Sequence, residues 1–194
     1  MIMKETVKAW VAESIRVKEA LLADRQTMDR IGEVAELLVR TYRAGGKTLW
    51  AGNGGSAADA QHMAAELVNK FRMNRKGLPA VALTANTSVV TAVGNDYGYD
   101  CLFVKQLEAF GAPGDVFIGI STSGGSANLV AVTEYCRAHG IVTVALTGAA
   151  PCGMDAYDHV IKVPSTDTPR IQECQTLIGH ILCGWVEKAL FATE

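Results

Sequence analysis

The chain has 194 residues and a formal net charge of −2; 49% of its residues are hydrophobic and 20% are charged. This length suits one domain with its own core, and the composition excludes intrinsic disorder and, for want of a basic excess, a dedicated nucleic-acid binder. No run of 18 apolar residues occurs and charges are scattered through the first 20 positions, so we expect no membrane span, no signal peptide and a cytoplasmic location.

Residues 1–44 contain no turn cluster and are predicted to be helical. One apolar stripe runs from Val7 to Leu21 and a second from Met28 to Tyr42, each at helical spacing. Two long helices ahead of any strand have little sheet to cover, so we predict that another subunit buries part of their apolar surface. We treat this segment as an N-terminal helical extension of a single domain, 45–194.

Short apolar runs then alternate with amphipathic stretches, which predicts alternating strands and helices. The predicted strands are 48–51, 80–84, 116–120, 141–146 and 159–163. The predicted helices are 57–71, a short one near 89–93, 100–110, one that ends near 139, and 168–191. Strands that are apolar throughout are buried on both faces, so the pattern predicts a doubly wound α/β fold with a mostly parallel five-stranded sheet.

Two glycine-rich turns follow predicted strands. The first, GNGGS at 52–56, lacks the lysine of a P-loop and the third glycine of a dinucleotide-binding motif, but it places a tight turn before a helix N-terminus. Such a turn offers backbone N–H groups to a phosphate. The second turn adds hydroxyl groups, those of Ser121, Thr122, Ser123 and Ser126. Either turn alone could be structural, but both end strands of one sheet, which predicts a sugar-phosphate site.

The titratable side chains near these turns form a second pattern. His62 and Glu66 are four residues apart on the helix after the first turn, and so share one face. The last predicted helix begins with RIQE at 170–173 and carries His180. His62, Glu66, Gln172 and His180 are candidate ligands for a divalent metal such as zinc, although their spacing matches no HExxH motif. A satisfied core histidine is the alternative for the first pair.

The positions of Gln172 and His180 on one predicted helix constrain such a site. Eight residues span about 12 Å of rise on a continuous helix, so both could reach one metal only with fully extended side chains. The sequence leaves two alternatives open: the helix begins after Gln172, or the donors of one site come from different subunits. The second alternative also explains the long apolar N-terminal helices, so we predict that each site is composite and that an isolated monomer is inactive.

Taken in order, these motifs resemble one family along nearly the whole chain. They are GNGGS at 52–56, AQH at 60–62, EL at 66–67, GND at 94–96, GISTSG at 119–124 and RIQE at 170–173. The sequence is similar in them to the phosphoheptose isomerases, which have the sugar-isomerase (SIS) fold. The resemblance implies conversion of sedoheptulose 7-phosphate to D-glycero-D-manno-heptose 7-phosphate through an enediol, at the start of bacterial heptose and lipopolysaccharide biosynthesis, by a homotetramer with one zinc ion per subunit.

The resemblance also implies a role for each motif residue. Glu66 as base and His180 as acid would form the catalytic pair. The implied zinc ligands are His62, Glu66, Gln172 and His180. The implied substrate-binding residues are Asn53, Gly54, Gly55, Ser56, Glu66, Asn95, Asp96, Ser121, Thr122, Ser123, Ser126 and Gln172.

Three positions depart from the pattern of the family. Lys70 stands where many members have arginine, and it keeps the charge but loses the bidentate fork. Pro169 stands where some members have an acidic residue, and Gln175 where many have histidine. None of these changes removes a predicted ligand or catalytic group, but each affects what can be expected of substrate binding.

Two other functions stay open on the sequence alone. Related SIS-fold proteins include a non-catalytic protein that associates with the bacterial replication initiator, and others are sugar-phosphate-sensing regulators. The non-catalytic relatives tend to lose the helical glutamate or the later histidine. This chain keeps His62, Glu66 and His180, which favours catalysis.

Overall fold

The structure is a computed structural model that describes residues 2–192. Residue 1 of the predicted helical extension and residues 193 and 194 of the predicted domain lie outside the described residues. Five strands form one sheet in the order β2-β1-β3-β4-β5, and every neighbouring pair is parallel. The strands are β1 (Thr48–Gly52), β2 (Ala80–Ala82), β3 (Val116–Ile120), β4 (Val142–Thr147) and β5 (His159–Lys162). The predicted doubly wound α/β fold is confirmed.

Helices cover both faces of this sheet. They are α1 (Ile2–Ala23), α2 (Arg25–Arg43), α3 (Gly55–Val68), α4 (Thr87–Asp96), α5 (Leu102–Phe110), α6 (Ala127–Val130), α7 (Val132–Ala138) and α8 (Thr168–Phe191). Asp24 caps α2, because its side chain accepts the backbone N–H of Thr27 at 3.2 Å. Such a cap satisfies one of the backbone N–H groups that have no partner within the first turn of a helix.

Successive side chains of a strand point to opposite faces of the sheet, so alternate residues enter two separate hydrophobic clusters. Trp50 and Ile118 pack against α2, α3 and α8 on one face, whereas Leu49 and Phe117 pack against α4–α7 on the other. No helix in the part of the chain that the structure describes is long and apolar enough to cross a membrane.

The two helices of the N-terminal segment differ in how they are buried. The apolar face of α2 belongs to the same cluster as the sheet, through Ile31, Val34 and Leu38. By contrast, α1 exposes Trp10, 65% accessible, together with other large apolar side chains, Met3, Val7, Val11 and Ile15. The apolar surface of α1 therefore still needs a partner, and its burial by another subunit stays a prediction.

Candidate active site

The two glycine-rich turns lie side by side. β1 and β3 are hydrogen-bonded neighbours in the sheet. After β1 the chain forms β2 on one side of β1 and then crosses back to form β3 on its other side. The carboxyl ends of β1 and β3 therefore flank a topological switch point, where ligands bind in such sheets. The amides of Asn53 and Asn128 exchange two hydrogen bonds of 2.9 and 3.0 Å across this point. The Tyr99 hydroxyl donates to Oδ1 of Asn53 at 2.9 Å. Neither Asn128 nor Tyr99 is among the predicted site residues, although Asn128 comes directly after the second turn in the sequence.

The second turn is shaped by its own hydroxyl groups. Oγ of Ser121, which is buried, accepts the N–H of Gly124 at 3.0 Å and lies 3.5 Å from Oγ of Ser126. Gly124 has a φ of +61°, and a Cβ there would lie 2.3 Å from Sγ of Cys152. Ser123 is exposed. Ser121 therefore holds the turn, whereas Ser123 can face a ligand.

The first turn requires glycine because α3 begins directly over the end of β1. A Cβ on Gly52 would lie 2.5 Å from the backbone oxygen of Ser56, which is a buried residue. Gly54 has a φ of +57°, in the left-handed region that favours glycine. A Cβ on Gly55 would lie 2.9 Å from Nε2 of Gln172, so the predicted substrate residue Gln172 does lie at this turn.

Helices α3 and α8 lie parallel and in register. Gln172 of α8 lies beside Gly55 of α3. One turn further along both helices, Oγ1 of Thr176 donates to Oδ1 of Asp59 at 3.0 Å. A further turn along, Nε2 of His180 lies 3.4 Å from Nε2 of His62. The helices approach closely because Gly179 leaves room for Met63: a Cβ there would lie 2.3 Å from the sulfur.

Three of the four predicted metal ligands meet in one chain. Nε2 of His62 lies 3.1 Å from Oε1 of Glu66, and the ligand atoms of His62, Glu66 and His180 all lie within 4.8 Å of one another. Bonds of 2.0–2.1 Å in a tetrahedral zinc site place ligand atoms about 3.3 Å apart, close to the observed 3.1 and 3.4 Å. Two imidazole nitrogens and a carboxylate oxygen are also donors that zinc accepts, so these residues fit the metal.

Gln172 is not brought to this cluster within the chain. α8 begins at Thr168, with Pro169 in its first turn, so the alternative that the helix begins after Gln172 is wrong. Gln172 lies two turns before His180, about 12 Å along the axis, and its role as a ligand stays a prediction. The other alternative, donors from different subunits, is not needed for Glu66 and His180, which meet in one chain.

Asn95 and Asp96 lie apart from both groups of residues. They end α4, are exposed, and are joined by a hydrogen bond of 2.7 Å from Nδ2 of Asn95 to Oδ1 of Asp96. Within residues 2–192, no hydrogen bond or ion pair connects them to the two turns or to the His62 cluster. Their predicted contact with substrate stays a prediction.

The three departures from the family pattern have different surroundings. Lys70 and Pro169 are exposed, so the structure leaves both free to meet a ligand or another subunit. Gln175 is buried, and its Nε2 donates to the backbone oxygen of Leu146 at the end of β4 at 2.8 Å. This departure therefore serves the packing of α8 on the sheet.

The fold and the site together define the class of protein. The family model of the SIS domain matches residues 9–148, so the chain is a SIS-domain protein. It belongs to the phosphoheptose isomerase family, as the sequence predicts, and is therefore an isomerase.

Relatives and solved structures of this family match along the chain. It is 53% identical over 193 residues to the phosphoheptose isomerase of Aneurinibacillus thermoaerophilus, covering 99% of this chain and 98% of the relative. It is 50% identical over 186 residues to phosphoheptose isomerase 2 of Campylobacter jejuni, covering 95% and 92%. A phosphoheptose isomerase structure from Francisella tularensis superposes with a TM-score of 0.91 at 34% identity (97% and 100% coverage), and one from Neisseria gonorrhoeae with 0.87 at 41% (96% and 99%).

Proposed function

We propose that the protein converts sedoheptulose 7-phosphate to D-glycero-D-manno-heptose 7-phosphate. The observation that carries the proposal is the meeting of His62, Glu66 and His180 on two helices, the first of which begins at a phosphate-type turn. The names of the relatives support a heptose phosphate as substrate. The product enters bacterial heptose biosynthesis, including that of lipopolysaccharide, and the protein acts in the cytoplasm as a homotetramer.

Glu66 is the base of this mechanism. Its Oε1 lies against His62, while no hydrogen bond from any described residue reaches its second oxygen, and its side chain is 24% exposed. That second oxygen can take the proton from C1 of the ketose. The electron pair of the broken C–H bond forms the C1–C2 double bond of the enediol, and the same carboxylic acid returns the proton to C2.

His180 is the acid. Its Nε2 faces His62, so Nδ1 is the ring nitrogen free to exchange a proton with the substrate. Nδ1 protonates the C2 oxygen as the enediol forms, and it takes the proton of the C1 hydroxyl when the aldehyde forms, so His180 and the sugar both end with the number of protons they began with. An acid placed at the oxygen where charge develops stabilises the transition state.

His62, Glu66 and His180 would hold a zinc ion. Bound there, zinc would supply Lewis-acid polarisation of the substrate carbonyl. Each of the two catalytic side chains has one atom directed into the ligand cluster and a second left for the proton, so binding and proton transfer do not compete for the same atom. His62 has no proton to move in this scheme and serves only as a ligand.

The test is to incubate zinc-loaded protein with sedoheptulose 7-phosphate and follow the sugar by NMR. A ketose has no anomeric proton and an aldose has one, so we expect a new anomeric signal to grow. Absence of this signal with folded, zinc-loaded protein would contradict the proposal. A substrate-induced rise in melting temperature without turnover would favour the non-catalytic alternative, a binder or a sensor of sugar phosphates.

The hydroxyl groups of the second turn should act on substrate binding. We expect Ser123→Ala to raise KM more than it lowers kcat, because an exposed Ser123 would bind the phosphate, which is remote from the reacting carbons. Ser121→Ala should do the same and also destabilise the turn, because it removes the acceptor of the Gly124 N–H. Ser88→Ala, exposed at the start of α4, is the control. An unchanged KM in both variants would assign the turn a structural role alone.

Mixtures of inactive subunits should stay inactive. Glu66 and His180 share a site within one chain, so a hybrid of Glu66→Gln and His180→Gln subunits has one defect in every site. For Glu66 and His180, this expectation replaces the prediction from the sequence that one site takes its donors from two subunits. The measurement is turnover after subunit exchange that mass spectrometry has verified, with wild-type mixtures as controls. Recovered activity would show that the two residues act across subunits.

A further inference from the structure

The loop after α3 is held by one buried carboxylate. Glu187 of α8, 1% exposed, accepts the backbone N–H groups of Phe71, Arg72 and Met73 at 3.1, 2.6 and 2.9 Å. Its Oε1 also accepts a hydrogen bond from Nε of Arg75 at 3.0 Å. Burial alone would raise the pKa of Glu187, but these hydrogen bonds outweigh burial and lower it below its ordinary value. Successive N–H groups that converge on an anion give the loop one defined conformation.

The guanidinium of Arg75 ends α3. Nη2 donates to the backbone oxygen of Glu66 at 2.9 Å, and Nη1 to that of Leu67 at 2.6 Å. The last carbonyl groups of a helix have no hydrogen-bond donor within the helix, and Arg75 supplies a donor to two of them. This is why the helix predicted to reach Phe71 stops at Val68. The same bonds fix the backbone that carries the Glu66 carboxylate.

Phe71, placed by this loop, lies on the ring of His180. The two ring centroids are 5.4 Å apart and the planes differ by 22°. Gly184, one turn further along α8, leaves space for the ring, since a Cβ there would lie 3.3 Å from Phe71. A metal-binding histidine ordinarily has its second nitrogen held by an oxygen acceptor. Within residues 2–192, the only hydrogen bond of the His180 ring is at Nε2, so stacking holds the ring plane instead.

We propose that Phe71, Arg75 and Glu187 are positioning residues that orient the two catalytic groups. Glu187 folds the loop, the loop places Phe71 on His180, and Arg75 holds the backbone of Glu66. The inference rests on the proposed function for the roles of Glu66 and His180. A purely structural Glu187 would affect stability alone, whereas a positioning role also changes the environment of the His180 ring and its affinity for metal.

The test compares Phe71→Leu and Glu187→Gln with matched variants elsewhere. Phe103→Leu removes an equally large ring from the core of the opposite sheet face. Asp115→Asn removes a buried carboxylate that likewise accepts two backbone N–H groups and pairs with a cation, Lys47, at 2.6 Å. All four variants should lower the melting temperature, and only the first two should change the site.

The first readout needs neither metal nor activity. The chain has four histidines, so the imidazole signals of the metal-free protein can be assigned by NMR. We expect the His180 ring protons to shift in Phe71→Leu and Glu187→Gln and to stay in place in the two controls. In zinc-loaded protein, the zinc dissociation constant from chelator competition should rise about 10–100-fold, the usual cost of losing a residue that orients a ligand. kcat should fall while KM stays near the wild-type value.

Unchanged His180 signals in folded Phe71→Leu would overturn the inference, and so would equal shifts in Phe103→Leu. Should Glu187→Gln fail to fold, Phe71→Leu still decides. A wild-type protein without turnover or zinc binding would contradict the proposed function, whereas the His180 signals of the metal-free protein would still test the positioning by Phe71.

Discussion

Glu66→Gln and His180→Gln should each lower kcat by about two to four orders of magnitude, the usual range for loss of a general base or acid. Glutamine is close to either side chain in size, but its amide can neither take the proton from C1 nor transfer a proton to the C2 oxygen. KM should change less, because the proposed phosphate site is at the glycine-rich turns and not at these two side chains. The measurement is steady-state kinetics with sedoheptulose 7-phosphate at saturating zinc.

Two conservative controls separate this effect from a change of surface charge. Glu108 lies on α5 and His139 directly follows α7, both on the other face of the sheet, so Glu108→Gln and His139→Gln should keep wild-type kinetics. Near-normal turnover in either Glu66→Gln or His180→Gln, with the folded state intact, would contradict the assignment of that residue. Because both residues would also bind the metal, the zinc content of each variant must be measured alongside its rate.

His62→Ala should abolish activity at low zinc and recover part of it when zinc is raised. In the proposed site His62 is a ligand, with its Nε2 3.4 Å from that of His180, and gives no proton to the reaction, so its loss should weaken metal binding and leave the proposed acid and base in place. We expect the zinc dissociation constant to rise by at least the roughly 10–100-fold that follows loss of a residue that merely orients a ligand. Chelation of the wild-type protein should give the same inactive state, reversed by added zinc.

His139→Ala is the matched control for this metal prediction. The His139 ring stacks on Tyr135 at 4.0 Å and its Nδ1 contacts the backbone of the same residue, so it has no part in the cluster. Its variant should bind zinc with wild-type affinity. If His62→Ala lost activity but kept full zinc binding, His62 would have a role other than that of a ligand. If chelation left the wild-type rate unchanged, the reaction would need no metal.

Local patterns in the sequence were enough for the strands and most helices. The three central strands, β1, β3 and β4, are apolar runs because both of their faces are buried, as Leu49 and Trp50 illustrate by entering opposite clusters. The Asn53–Ser56 turn and the pairing of His62 with Glu66 followed from spacing alone, since residues four apart on a helix are neighbours. The order of motifs was also sufficient for the family.

Contacts between distant segments were decided by the tertiary structure. The end of α3 at Val68 depends on Arg75 and Glu187, and no pattern near residue 68 reports a carboxylate more than a hundred positions away. Likewise, which turn of α8 meets which turn of α3 depends on Gly179 and Met63 fitting together. That fit places His180 on the His62 cluster and leaves Gln172 at the first glycine turn. Sequence spacing measures distance along one helix, whereas a site between two helices depends on how their side chains interlock.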